Sequence, residues 1–159
     1  MNAGGTERVA QMRRDFDAVF ALPRAPEPPP AESLLRISTA GTGFNVRLNE
    51  LSCVLPCAVV VPVPGARRGL LGLTAVRGQI MPLYALATLL ELPGPVPTPR
   101  WILVAEAGAA LGVDAVEGVT QVPVAAVREV ASAGSRALLN VTSVVEGLRK
   151  SRIPPEQER

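Results

Sequence analysis

The stretch Gly69-Leu-Leu-Gly-Leu-Thr-Ala-Val-Arg-Gly-Gln-Ile-Met-Pro-Leu-Tyr-Ala-Leu86 decides the fold. Two apolar runs, Leu70 to Val76 and Gln79 to Pro82, flank Arg77-Gly78. That arrangement is a compact β-hairpin signal. Gly78 lets the chain reverse, and Arg77 at the turn can point its long side chain outward.

The same grammar extends in both directions. Leu34 to Ser38 and Phe44 to Leu48 flank the Gly41-Thr42-Gly43 turn. Cys53 to Val63 is apolar but holds Pro56 and Pro62, so it reads as irregular chain or an edge strand. Leu86 to Leu92 reads as one short helix stopped by Pro93-Gly94-Pro95. Trp101 to Ala105 and Leu111 to Val116 form a strand pair across Gly108, and Val141 to Lys150 a terminal helix. The expectation is an all-β fold with minor helices.

Ahead of it, Glu7 to Ala21 has the period of an amphipathic helix, with Thr6 as N-cap. Val9, Met12, Phe16 and Val19 recur at three- and four-residue steps. Such a stripe is a packing face, so Met12, Phe16 and Val19 are candidates for docking on the body or on a partner. The proline-rich stretch Pro23 to Glu32 favours an extended form and separates this helix from the body. The expected organisation is a helix over 1–22, a linker over 23–32, the β domain over 33–150 and a charged tail over 151–159.

A gapless shift of 67 residues superposes the segment starting at Leu34 on that starting at Trp101. Ile37 then meets Val104, Gly41 meets Gly108, Glu50 meets Glu117 and Pro56 meets Pro123. Each copy reads strand, glycine turn, strand, carboxylate, strand, proline, which predicts two related β lobes.

Composition narrows the chemistry. Of 159 residues, 48% are apolar, enough for a buried core, and none is histidine. The usual Ser-His-Asp and Cys-His catalytic sets, the commonest zinc sites and phosphohistidine chemistry all lack their central group. Asp15, Asp17 and Asp114 do not form a magnesium-binding cluster. The only lysine, Lys150, stands among charged neighbours. Cys53 and Cys57 in extended chain would lie about 13 Å apart, beyond disulfide reach, and read as buried thiols. Neither a catalytic centre nor a metal or cofactor site is expected. The net charge is only +2, and the few aromatics are not interleaved with cations, which speaks against nucleic-acid binding. No apolar run approaches the roughly 18 residues of a membrane helix, and no secretory pattern opens the chain. The expectation is a cytoplasmic protein without direct membrane insertion. One alternative stays open: Glu50 and Glu117 as paired carboxylates of a small β-barrel enzyme or ligand-binding protein.

The hairpin stretch resembles the signature of the CheW-like domain family. The family's Asn-Leu-Arg-Gly turn stands here as Ala75-Val76-Arg77-Gly78. The strand end, Pro, two apolar residues, Asp and Leu, stands as Pro82-Leu83-Tyr84-Ala85-Leu86. Val46-Arg-Leu-Asn-Glu-Leu51 and Val113-Asp-Ala-Val-Glu-Gly-Val119 are similar to further family strands. The resemblance runs from about Leu34 to Leu148. It implies two SH3-like β-barrel lobes on a common core and no catalysis. It also implies a chemosensory adaptor that binds the regulatory domain of a CheA-type histidine kinase and the cytoplasmic tips of methyl-accepting chemoreceptors, with recruitment to receptor arrays. The partner-binding residues it points to are Arg77, Gly78, Val76, Leu73, Ile80, Leu48 and Glu50. Ala75 and Ala85 replace the family's turn-bracing Asn and Asp. The stretch from Arg128 to Leu138 is short for a second-lobe hairpin, and the proline-tethered helix is extra.

Overall fold

The computed structural model describes residues 3–20, 28–129 and 136–150. The body is mostly β-strand in two sheets. In chain order it runs β1 (Ala31–Thr39), β2 (Thr42–Arg47), a 3-10 turn (Leu48–Glu50), β3 (Leu51–Pro56), β4 (Leu70–Val76), β5 (Gln79–Ala85) and the one-turn helix α2 (Leu86–Leu89). There follow β6 (Trp101–Ala105), β7 (Ala110–Val113), β8 (Ala115–Pro123), a 3-10 turn (Val124–Ala126), β9 (Ala137–Leu139) and the terminal helix α3 (Val141–Lys150). An N-terminal helix, α1 (Ala3–Phe20), precedes the body. Residues 23–27 of the expected linker and the charged tail over 151–159 lie outside the described residues, as does the side chain of Val19.

The sheets are β8-β1-β2-β9 and β3-β6-β7-β5-β4. Their composition explains the internal repeat. Each sheet takes its central hairpin from one half of the chain and its flanking strands from the other, and β4 is added at the end of the second sheet. Thus β1–β2 is flanked by β8 and β9, while β6–β7 is flanked by β3 and β5. The halves exchange strands, so neither is a self-contained lobe. The pairing β2·β9 is parallel, and so is β5·β7. The register of the second hairpin is offset by one residue from what the repeat implies. Leu34 faces Arg47, but Trp101 faces Val113 and not Asp114.

Where two SH3-like barrel lobes were expected, the strands form two sheets, and neither strand order closes on its start among the described residues. A single bridge, Val61 to Leu73, ties the chain after β3 to β4 without growing into a ladder. Prolines explain this: Pro56 and Pro62 bracket the segment and lack the N–H a ladder needs. The second half also lacks a described counterpart of β4, because β8 ends at Pro123 and β9 already begins at Ala137.

The core lies between the sheets. Ile37, Val46 and Leu51 from the first half pack with Leu103, Leu111 and Val113 from the second, and α3 adds Val141 and Val145. A second cluster forms around Val76, Leu83, Ile102, Val104 and Ala110, with Cys53 and Cys57 packed against it. Both cysteines are free thiols and are half-buried where full burial was expected; partial burial pushes the Cys57 thiol up.

Candidate functional site

The β4–β5 hairpin closes with Val76 opposite Gln79. Arg77 has φ +49° and Gly78 φ +79°, the two positive φ values of a type I′ turn, which matches the twist of the flanking strands. Asn-Gly or Gly-Gly is the usual occupant. Arginine in this left-handed region costs about 1 kcal/mol of strain. The Arg77 side chain is exposed and makes no hydrogen bond or ion pair with the described residues. A strained, unpartnered arginine at a hairpin tip gives nothing to the fold that asparagine would not.

Strand alternation sorts the neighbours. Leu73 and Ala75 face outward, where Ala75 pairs with Ile80 and Leu73 with Pro82. Ile80 is 76% exposed. Val76 faces the other way with Gly72 and Thr74 and is only 4% exposed, packed among Leu83, Ile102 and Val104. Val76 therefore belongs to the core and supplies no rim to the expected contact surface.

The chain after β3 completes that surface, a contribution the sequence reading missed. The Val61 and Leu73 backbones exchange N–H to carbonyl bonds of 2.8 Å in both directions. The Thr74 hydroxyl donates to the Val59 carbonyl at 3.0 Å. Gly72 makes this possible: a Cβ there would sit 2.3 Å from the Val61 carbonyl oxygen. Val59 and Val61 are left exposed beside Leu73. Below the hairpin, Leu70, Leu73, Tyr84 and Leu148 line a cleft of about 470 Å³ with Arg67 and Arg68. The available signal was an apolar run bracketed by prolines, which can neither join a ladder nor bury itself.

Leu48 and Glu50 sit elsewhere, in the turn between β2 and β3. Leu48 lines a separate cleft with Glu32, Arg47 and Asn49. The Glu50 side chain is 12% exposed and is occupied internally. Its Oε2 accepts the Val141 N–H at 2.6 Å and the Thr142 N–H at 3.4 Å. Its Oε1 lies 3.6 Å from Arg47 Nη1. The carboxylate thus meets the positive end of α3, a favourable charge-dipole arrangement, and is a structural tie and not an accessible contact. Asn140 completes this helix start by accepting the Ser143 N–H at 2.8 Å.

Glu117 pairs instead with Arg136 at 2.8 Å. The two glutamates expected as an alternative acid–base pair serve different partners, and neither lines the clefts described above or a third one beside α2. Asp114 is also engaged, accepting the Ala40 N–H at 2.7 Å. Among the described residues no group of three or more His, Cys, Asp or Glu side chains is placed to hold a metal ion. No described helix is long and apolar enough to cross a membrane.

No curated protein matches the chain. Among solved structures, the scaffolding protein TtCheW from Thermoanaerobacter tengcongensis is similar with a TM-score of 0.56 at 19% identity. That match covers 61% of this chain and 69% of TtCheW. A family model described as the CheW-like domain matches residues 33–149, well over half of the chain and the whole of the two-sheet body from β1 to α3 save its first residues and its last. The chain belongs to the CheW-like domain family, whose members are non-catalytic scaffolds of chemotaxis signal transduction.

Proposed function

We propose that this chain is an adaptor that couples methyl-accepting receptors to a CheA-type histidine kinase, with the β4–β5 hairpin as its partner-binding surface. The observation that carries the reading is Arg77, an exposed arginine held at φ +49° on the hairpin tip. A guanidinium offers a rigid fork of donors to carboxylates or carbonyls. Leu73 and Ile80, with Val59 and Val61, offer apolar area beside it. This is the usual anatomy of a contact patch, an arginine anchor amid apolar side chains. Gly78 serves the patch by permitting the turn, and Leu48 marks a second, separate apolar contact.

The family's scaffold character supports a role made of contacts alone, carried out where receptor arrays meet the kinase. Calorimetric titration against the kinase regulatory domain and against a receptor-tip fragment tests the proposal. Saturable binding weakened by Arg77→Ala supports it. Binding of neither fragment by the wild-type chain overturns it.

A further inference from the structure

α1 has no role in the hairpin reading. It is an 18-residue helix, and in proteins most of a helix's stability comes from packing an apolar face. Yet Val9 is 65%, Met12 66% and Phe16 64% exposed. These three share one stripe at steps of three and four residues. Their flanks are charged: Arg8 and Asp15 on one side, Arg13 on the other.

The flanks discriminate among occupants. In a parallel pair of two copies, Arg8 of one helix faces Arg13 of the other. In the antiparallel alignment that layers Met12 on Phe16, the two Arg13 side chains meet. Like charges at these positions oppose pairing. The apolar cleft of this chain's own body is lined by Arg67 and Arg68, so it repels the same two arginines. The complement that satisfies the stripe and its two flanking arginines is an apolar face with carboxylates opposite Arg8 and Arg13.

We propose that α1 is a heterotypic docking helix whose occupant is an apolar helix face bordered by carboxylates on a different protein. The proposal stands apart from the hairpin reading and can fail or hold independently of it.

The test uses the full chain and two synthetic amphipathic helices, each with leucines along one stripe. One carries glutamates beside the stripe and the other lysines. Fluorescence anisotropy should show the glutamate helix binding roughly fivefold or more tighter than the lysine helix. The triple variant Val9→Ser, Met12→Ser, Phe16→Ser should lose that binding. Since serines could also unwind α1, Arg8→Glu with Arg13→Glu is the second variant: the stripe stays intact and the preference should reverse to the lysine helix. Equal affinity for both helices, or a charge reversal without effect, overturns the proposal. So does sedimentation showing a dimer that the serine variant dissolves. A body melting temperature lowered by the serine variant overturns it too, because the helix would then be packed on its own domain.

Discussion

The Glu50 carboxylate accepts the Val141 N–H at 2.6 Å from a position 91 residues earlier in the chain. This bond joins the turn after the first hairpin to the start of the last helix, and α3 delivers Val141 and Val145 to the shared core. Replacing the carboxylate by a methyl group leaves the N–H groups at the helix start without their acceptor. Glu50→Ala is expected to cost about 1–2 kcal/mol. Urea denaturation measures the loss. Faster exchange of the Val141 amide, with the β4–β5 amides unchanged, would locate it at α3.

The strand exchange between the halves predicts how the body unfolds. Leu103, from the second half, is fully buried among first-half residues such as Ile37 and Val46. Leu103→Ala should destabilise the body by about 2–5 kcal/mol. Tryptophan fluorescence from Trp101 and far-ultraviolet circular dichroism of the wild type should report one coincident transition. Two separated transitions would contradict an interlocked core.

Gly72 is expected to be intolerant for a specific reason. Its alanine Cβ would press on the Val61 carbonyl at 2.3 Å, and its φ is +153°. Gly72→Ala must either push the 59–61 segment off β4 or distort the strand. A loss of about 2 kcal/mol or more is expected, in the range of overpacking substitutions. Gly118→Ala is the control. Its φ is +139° but its Cβ would enter open space, so strain of about 1 kcal/mol is the whole cost. Thermal melts of the two variants compare them directly. An equal loss in both would mean that the close approach to Val61 contributes nothing.

Much of the body could be read from the sequence, and the reasons are local. Leu70–Val76 and Trp101–Ala105 have the bounds that apolar patterning assigned, and so does Val141–Lys150. In each, the side-chain period and the flanking glycine or asparagine lie within one window. The helix after β5 stops at Leu89, earlier than Leu92, because Glu91 takes positive φ before Pro93 arrives. Val76 could have been placed inside from the same alternation that identified its strand, since it shares a face with Gly72 and Thr74. The role of Glu50 was beyond reach, because its partner is set by tertiary packing and no local pattern names it. The repeat identified equivalent strands but not that the halves trade them, since pairing between distant strands leaves no mark in either strand alone. Val59 and Val61 were passed over because prolines mark where a ladder ends and not which edge the chain then covers.

The turn geometry separates stability from function at one residue. Asparagine fits the left-handed position of a type I′ turn better than arginine. Arg77→Asn should therefore raise stability by about 0.5–1 kcal/mol, measured by urea denaturation. A loss of stability would show that the guanidinium supports the fold.

The most direct test of the adaptor account is calorimetric titration of the kinase regulatory domain into the wild-type chain and into Arg77→Asn. The account predicts a saturable one-to-one isotherm for the wild type and roughly tenfold or greater weakening for the variant, the loss of a hot-spot contact. Equal affinity for both proteins would contradict the role given to the hairpin tip.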